Sequence, residues 1–318
     1  MSENNSVSRC DLAIEAHEML AAGSSGDFSV NGVSVVEEED GEFIKITRVT
    51  VDNDDGAREL GKPVGSYITI EMPNRFYGRQ EIYEDVCKRC AEELKGLIDD
   101  KLSDSNDTVL VAGLGNRRIT ADALGPKVIG SLMITRHLKR YMPDEIDERV
   151  RPVCAIAPGV LGTTGMETEE IVRSLTEEVK PKLVIVIDAL CSGNVDRINT
   201  TIQITDTGIT PGGGVGNKRK TINNDTLGVP VIAIGVPTVV DAATIAVAGL
   251  DAVSGRGAND DLFEENFVRS VFEKRFGNMI VAPKDVDSVI TDISSVIANG
   301  INISLHEGIT LSDIDRYV

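Results

Sequence analysis

The sequence predicts an α/β protein: a three-layer, mostly parallel twisted sheet with helices on both faces, and a β-rich region at the N-terminus. From Thr108 onward, short buried apolar runs alternate with amphipathic stretches, which is typical of strand–helix–strand units. Before that point, apolar and polar residues alternate, as they do in half-buried antiparallel strands. We therefore expect a single α/β domain over residues 12–318, with a β-rich subregion at about residues 28–75.

The part of the chain before Thr108 is predicted to hold a helix on each side of the β-rich subregion. Asp11 is a plausible N-cap of the first helix, because aspartate accepts hydrogen bonds from free backbone N–H groups. Asn53–Gly56, with the sequence NDDG, predicts a turn. The predicted elements are a helix over 11–22, strands over 43–51 and 67–72, and a helix over 82–102.

Strands and helices alternate in the predicted order after Thr108. Thr164 and Glu167 have the spacing of a capping box at the start of a helix. The predicted strands are 109–114, 151–157, 182–187, 200–205 and 229–236. The predicted helices are 123–141, 166–179, 241–253, 260–275 and 285–299.

Charge and composition limit the possible partners and compartment. The chain has 318 residues and a formal net charge of −19, which disfavours binding to DNA or to an anionic membrane. We find no apolar stretch long enough to span a bilayer and no N-terminal secretory signal, so we expect a cytoplasmic protein without a membrane partner. The five cysteines are an odd number spread over a long chain, which favours reduced thiols.

Asp122 and Asp188 are the candidate catalytic residues. Each comes at the end of a hydrophobic predicted strand, and the carboxyl ends of strands in open α/β sheets are where ligands collect. Two carboxyl groups that meet in one cleft share a proton, so the ionised one can activate water while the protonated one polarises a peptide carbonyl. Spacing alone favours a structural alternative, in which Asp122 caps a helix and Asp188 belongs to a turn.

Two glycine-rich segments are candidates for substrate binding, because their free backbone N–H groups can hold a peptide or an oxyanion. They are residues 157–167 and residues 211–220, and a plain connecting turn is the alternative for each. The second lacks the Gly-Lys-Ser/Thr of a phosphate-binding loop, although a non-catalytic anion-binding protein stays open as a rival function. The candidate substrate-binding residues are Gly159, Gly162, Thr163, Asp206, Gly213 and Lys218.

Several familiar catalytic patterns are incomplete. His17 and Glu18 begin the HExxH pattern of zinc peptidases, but Ala21 stands where the second histidine belongs. The Asp-Thr-Gly triplet that begins at Asp206 looks like that of pepsin-like proteases, but it has no second copy. Cys87 and Cys90 have metal or redox spacing inside a helical pattern without a second pair, so we interpret them as structural.

The motifs together resemble the germination proteases of endospore-forming bacteria. The matching segments are RCDLAIEA, VAGLGNRRITADALGPKV, TRHL, RPVCAIAPGVLGTTGMET, IDAL, INTTIQITDTGITPGGGVGNKRK and GVPVIAIGVPTVVDA. The resemblance implies a phosphorylase/hydrolase-like fold, similar to that of hydrogenase-maturation endopeptidases. In those relatives, acidic residues at comparable strand ends bind metal.

The resemblance also implies a function. It predicts an endopeptidase of the aspartic type, formerly classed as a metalloendopeptidase, that starts the degradation of small acid-soluble spore proteins during germination. It places the catalytic pair at Asp122 and Asp188, without a cofactor; the alternative is that the same two carboxylates hold a metal ion. The family is made in the developing spore as a homotetrameric zymogen that removes its own propeptide, here residues 1–11, by cutting between Asp11 and Leu12. Because the family cuts after an acidic residue, Lys218, Arg219 and Lys220 would attract that residue unless they form a solvated loop.

Overall fold

The computed structural model describes residues 11–22, 30–73, 79–214, 219–254, 262–277 and 279–314. The strands are β1 Val33–Asp40, β2 Ile44–Val51, β3 Gly65–Glu71, β4 Val109–Gly113, β5 Val153–Ile156, β6 Leu183–Ser192, β7 Thr201–Thr205, β8 Val231–Asp241 and β9 Ile280–Val281. The helices are α1 Ala13–Ala22, α2 Asp54–Leu60, α3 Gln80–Asp99, α4 Leu124–Ile129, α5 Arg136–Tyr141, α6 Leu161–Thr164, α7 Thr168–Val179, α8 Asn224–Leu227, α9 Ala242–Ser254, α10 Leu262–Phe276, α11 Val286–Leu305 and α12 Leu311–Ile314.

The described strands form one mixed sheet in the order β1-β2-β3-β7-β8-β6-β4-β5, with β9 paired to β8. Neighbours among β8, β6, β4 and β5 run parallel, whereas the other pairs are antiparallel. The predicted α/β class is therefore confirmed, but the description "mostly parallel" holds only for these four strands. The reason is that the β-rich N-terminal subregion joins the main sheet, through pairs such as Ile68 with Ile204.

Helices cover both faces of the sheet, as predicted. Along β4, Val109 and Val111 pack into a core with α3, α4 and α11. Leu110 and Ala112 point to the opposite face, where their core includes Val172 of α7 and Leu227 of α8. A strand buried on both faces is apolar along its whole length, which explains the uninterrupted apolar run in the sequence.

Two predicted elements are wrong for local reasons. The helix predicted over 123–141 is divided into α4 and α5, because the intervening chain bonds to β5 and α11 instead of continuing the helix. Thr135 donates its backbone N–H to Val153 (3.0 Å), and Met133 donates its own to the Asn302 side chain (3.0 Å). The turn predicted at Asn53 is the start of α2, because the Asn53 side chain accepts hydrogen bonds from the N–H groups of Asp55 and Gly56.

The connection after β5 also differs from the prediction. Thr164 and Glu167 do not form a capping box, because Thr164 is the last residue of α6. Gly165 ends that short helix in the left-handed conformation (φ 73°). Glu167 precedes α7 without a side-chain capping bond.

One helix in the described ranges is long and apolar enough to cross a bilayer, contrary to the sequence prediction that no such stretch exists. This is α11, whose most apolar window has a mean hydropathy of 1.2. Within that window, 61% is buried inside the protein, where α11 packs against α3 and α4. Its length and hydropathy are accounted for by its place in the core.

Candidate active site

A cavity of about 580 Å³ lies beyond the end of β4 and beside the C-terminal half of β6, and three aspartates line it. They are Asp11, Asp122 and Asp188, which come from three separate parts of the chain. The start of α6 and the turn over 210–212 form other parts of the wall. The structure thus brings the two candidate catalytic residues and the predicted processing position to one cavity.

Asp188 is the most deeply buried of the three carboxyl groups. It lies inside β6, which continues to Ser192 rather than ending at residue 187 as predicted, because β6 stays paired with β8 beyond Asp188. Its side chain accepts a hydrogen bond from the backbone N–H of Ala189 (3.0 Å), and the residue is 6% exposed. Burial, followed by the charges of Asp122 and Asp11, raises the pKa of Asp188 well above its ordinary value. The alternative of Asp188 as a turn residue is therefore wrong.

Asp122 lies in the short 3-10 turn Thr120–Asp122, between β4 and α4. The backbone N–H of Asn116 donates to both its carboxylate (2.9 Å) and its carbonyl (2.9 Å). Burial raises the pKa of Asp122, and the Asn116 hydrogen bond opposes that rise. Asp122 does not cap α4, since the N-cap is Ala123.

Glycine is needed at position 115 to let the chain turn around Asp122. Gly115 has a positive φ of 109°, and a Cβ there would come within 2.1 Å of the Asp122 carbonyl oxygen. A side chain at this position would push Asp122 out of place.

Asp11 also faces the cavity rather than capping α1, which corrects the predicted N-cap. Its carboxylate accepts hydrogen bonds from the backbone N–H groups of Cys191 (3.0 Å) and Gly214. Burial raises the pKa of Asp11, while these hydrogen bonds and the charge of Lys62 lower it. Gly214 leaves room for the contact, because a Cβ there would lie 2.3 Å from the Asp11 carboxylate.

The residues after Asp11 are held along the end of β6. Leu12 is fully buried in a small apolar cluster with Ile14 and Leu190. Glu15 accepts hydrogen bonds from Ser192 Oγ (2.5 Å) and from the Gly193 N–H (2.9 Å). The predicted Asp11–Leu12 bond therefore joins a residue that lines the cavity to a fully buried residue.

The predicted substrate-binding residues divide into three groups. Gly162 lines the cavity, whereas Gly159, Thr163 and Gly213 belong to the same two loops but are not among the described lining residues. Asp206 also lies outside the lining, because its carboxylate accepts from the Ser66 N–H (2.9 Å) and pairs with Lys101 (3.7 Å). Lys218 lies outside the described residues.

Of the two other basic residues predicted near the substrate, only Arg219 lines the cavity. Its guanidinium is 4.0 Å from the Glu167 carboxylate. Lys220 is turned toward α7, where its ammonium is 2.8 Å from Glu170.

Two residues that hydrogen-bond to Asp11 were missed by the sequence analysis. The Lys62 ammonium donates a hydrogen bond to the backbone carbonyl of Asp11 (2.8 Å). Lys62 belongs to the turn between α2 and β3, and no pattern in the sequence links that turn to the cavity. Gly214 was missed although its glycine-rich segment was identified.

The cysteines near the site and in α3 are buried thiols without a catalytic role in this account. Cys191 lines the cavity, but burial and the charges of Asp11 and Asp241 raise its pKa to about 12, so the thiol stays protonated near neutral pH. Cys87 and Cys90 are buried free thiols in α3. Across the described part of the chain, no group of three or more His, Cys, Asp or Glu side chains is arranged to hold a metal ion.

Comparisons with known proteins identify the class of enzyme. A family model described as "Germination protease" matches residues 13–260 and 257–318. A germination protease from Clostridium acetobutylicum is 48% identical over 99% of both chains, and one from Clostridium perfringens is 45% identical over 98% of both. One from Bacillus mycoides is 38% identical, covering 97% of this chain and 96% of its own.

This α/β protein, with its carboxyl-lined cavity, is therefore a peptidase. The chain belongs to the germination protease family, the endopeptidases of spore germination, and it acts on protein substrates. Among solved structures, a [NiFe] hydrogenase maturation protease from Thermococcus kodakarensis aligns with a TM-score of 0.33 and 18% identity, covering 64% of this chain and 98% of its own.

Proposed function

We propose that Asp122 and Asp188 hydrolyse the peptide bond together, with Asp122 ionised and Asp188 protonated. The observation that carries this proposal is the burial of Asp188 in the same cavity as a second carboxyl group, whose charge adds to the rise of its pKa. Two carboxyl groups in such different surroundings are suited to separate acid and base roles.

The proposed reaction needs one water molecule. Asp122 takes a proton from the water as its oxygen attacks the carbonyl carbon, and Asp188 donates a hydrogen bond to the carbonyl oxygen. When the tetrahedral intermediate collapses, the C–N bond breaks and the amide nitrogen takes the proton from Asp122. The products are a carboxylic acid and an amine, and both aspartates return to their starting states.

We infer that the first bond cut is the chain's own Asp11–Leu12 bond, so that the enzyme is made as a zymogen with residues 1–11 as its propeptide. The position of Asp11 in the cavity lining and the burial of Leu12 support this inference. Residues 1–10 lie outside the described part of the chain.

We further infer that the later substrates are small acid-soluble spore proteins, cut by a homotetramer in the cytoplasm of the developing or germinating spore. Membership of the germination protease family supports this assignment. The loops that contain Gly159, Gly162 and Thr163, and Asp206 and Gly213, would border the bound substrate.

The catalytic proposal is tested with Asp122→Asn and Asp188→Asn, with Asp225→Asn on the exposed side of α8 as the matched control. We expect each cavity variant to slow both self-processing and cleavage of a purified small acid-soluble spore protein by about 10²–10⁴-fold, because each removes one acid–base group. Circular dichroism would show that the fold persists, and the control would cleave normally.

Full activity in either cavity variant would contradict the aspartate pair. Loss of activity after exhaustive chelation, with recovery when a divalent ion is added back, would instead support the metal-assisted alternative at the same carboxylates.

A further inference from the structure

Lys62 makes a contact that the aspartate pair does not explain. Its ammonium donates a hydrogen bond to the backbone carbonyl oxygen of Asp11 at 2.8 Å. If the Asp11–Leu12 bond is the one that is cut, as proposed above, this oxygen belongs to the carbonyl that water attacks. It is therefore the atom on which negative charge develops during hydrolysis.

The hydrogen bonds between Asp11 and β6 involve the backbone N–H and the carboxylate of Asp11, and its backbone carbonyl oxygen bonds to Lys62 instead. Asp11 donates its own N–H to the carbonyl of Cys191 (3.4 Å), as a paired strand residue does. The N–H of Cys191, which would ordinarily bond a backbone carbonyl, donates instead to the Asp11 carboxylate. The Asp11 backbone carbonyl is thereby turned away from β6 and toward the lysine.

The turn that carries Lys62 is held on both sides. Gly61 ends α2 in the left-handed conformation with φ 68°. On the other side, the carbonyl of Pro63 accepts a hydrogen bond from the Tyr67 hydroxyl (2.8 Å) at the start of β3. The backbone that carries Lys62 is thus already fixed, so the contact of its ammonium with the carbonyl costs side-chain entropy but little further backbone entropy.

We propose that Lys62 is a catalytic residue that stabilises the oxyanion of the tetrahedral intermediate. As the water oxygen bonds to the Asp11 carbonyl carbon, the π electron pair moves onto the carbonyl oxygen. One lone pair of that oxygen accepts from the Lys62 ammonium, and the other accepts from Asp188. When the C–N bond breaks, the pair returns to re-form the carbonyl, and Lys62 keeps all its protons throughout.

A competing role for Lys62 is recognition of the acidic side chain that precedes the cut, since its charge also acts on the Asp11 carboxylate. The two roles differ in one measurable respect. An oxyanion contact acts on the backbone oxygen whatever the side chain is, whereas recognition of the carboxylate is lost when that side chain becomes neutral.

The experiment is a double-mutant cycle on self-processing of the full chain, followed as a single turnover by mass spectrometry. Lys62→Met is made in the wild-type and Asp11→Asn backgrounds, and Lys62→Arg keeps a charged donor. Lys45→Met is the control, because Lys45 is a half-exposed lysine of β2 that pairs with Glu37. If Lys62→Met loses its circular dichroism signal, Lys62→Leu takes its place with the same expectation, because leucine also has no hydrogen-bond donor.

We expect Lys62→Met to slow cleavage by about 10²–10³-fold, as removal of an oxyanion donor does, and by the same factor in both backgrounds. Lys62→Arg should be faster than Lys62→Met, and Lys45→Met should match the wild type. A wild-type rate in Lys62→Met would overturn the proposal. So would a loss that disappears in the Asp11→Asn background, since the lysine would then act on the side chain.

These outcomes separate this inference from the proposed function. Full activity in Asp122→Asn or Asp188→Asn would contradict the proposed catalytic roles of the two aspartates. A wild-type rate in Lys62→Met, with both aspartate variants inactive, would contradict only the oxyanion role of Lys62 and would leave the aspartate pair supported.

Discussion

The carboxyl groups of Asp122 and Asp188 share a cavity but have different surroundings. Asp188 lies inside a strand and is almost fully buried, whereas Asp122 lies in a turn, half-buried, where the Asn116 N–H favours its ionised form. Desolvation penalises the charged form of each group, and more strongly for the deeper one. In the proposed mechanism, this difference is the reason for placing the proton on Asp188 and for making Asp122 the base.

A buried carboxyl group with a raised pKa also lowers the stability of the protein. Between the ordinary pKa of aspartate and the raised pKa of Asp188, the folded state binds more protons than the unfolded state, so stability falls as the pH rises through that window. Each pKa unit corresponds to about 1.4 kcal/mol. Because the asparagine of Asp188→Asn cannot ionise, the variant does not lose folding stability as the pH rises.

We therefore expect Asp188→Asn to unfold at a higher temperature than the wild type at neutral pH. The difference should shrink as the pH falls and vanish below the ordinary pKa of aspartate, where the wild-type carboxyl is protonated in both states. Differential scanning calorimetry across this pH range measures both effects. A melting temperature that is equal or lower at neutral pH would show that Asp188 is not destabilised by its surroundings.

Sequence reasoning reaches Asp122 and Asp188 because both follow apolar runs that predict buried strands. It does not reach Lys62, since the contact of Lys62 with Asp11 depends on how the α2–β3 turn folds over a distant part of the chain. The N-cap predicted at Asp11 is wrong, because a capping pattern at the start of a helix looks the same whether the carboxylate faces the helix or a cavity; the cleavage position at Asp11 stays a prediction.

Among the elements, the join of β4 to α4 positions Asp122 most directly. Gly113 ends β4 and pairs with Ile187, next to Asp188. A Cβ on Gly113 would lie 2.2 Å from the carbonyl oxygen of Gly125 in α4. The close approach of the strand and the helix therefore requires glycine, and it sets the turn that holds Asp122.

We expect Gly113→Ala to destabilise the protein by about 1–3 kcal/mol, because the new methyl group forces α4 away from β4. Peptidase activity should fall by more than stability alone explains, since Asp122 moves with the turn. Gly96→Ala is the matched control, because Gly96 lies in the last turn of α3 and nothing lies within 4 Å of a Cβ there. That substitution should stabilise the helix by about 0.5–1 kcal/mol.

Urea unfolding and peptide cleavage, measured on both glycine variants, test this account of the β4–α4 join. Equal stability and activity in Gly113→Ala and the wild type would show that the strand and the helix are not held at this distance.

Elements with a strong local pattern are predicted well, and those decided by distant contacts are not. The apolar runs of β4, β6 and β8 correctly predict three strands. However, β6 and β8 continue past their predicted ends, because the two strands stay paired with each other up to Ser192 and Val240. The division of helix 123–141 into α4 and α5 depends on hydrogen bonds to β5 and α11, which no local pattern contains.

In the whole molecule, one sheet connects the N-terminal subregion to the parallel strands. The pairing of β3 with β7 makes this connection. It brings the α2–β3 turn close to Asp11, whose backbone carbonyl accepts the Lys62 hydrogen bond and which lines the cavity. The sequence predicts the N-terminal β-rich subregion and the parallel strands separately. It does not predict the antiparallel pairing of β3 with β7, because local periodicity does not show which distant strands pair.

The central claim is that Asp122 and Asp188 are close enough to share one proton. The most direct test is to titrate the Asp188 carboxyl by ¹³C NMR in the wild type and in Asp122→Asn, with Asp225→Asn as the control. We predict that the pKa of Asp188 falls in Asp122→Asn, because a neighbouring negative charge is removed, and stays above its ordinary value, because burial remains. An identical pKa in the wild type and Asp122→Asn would contradict the claim.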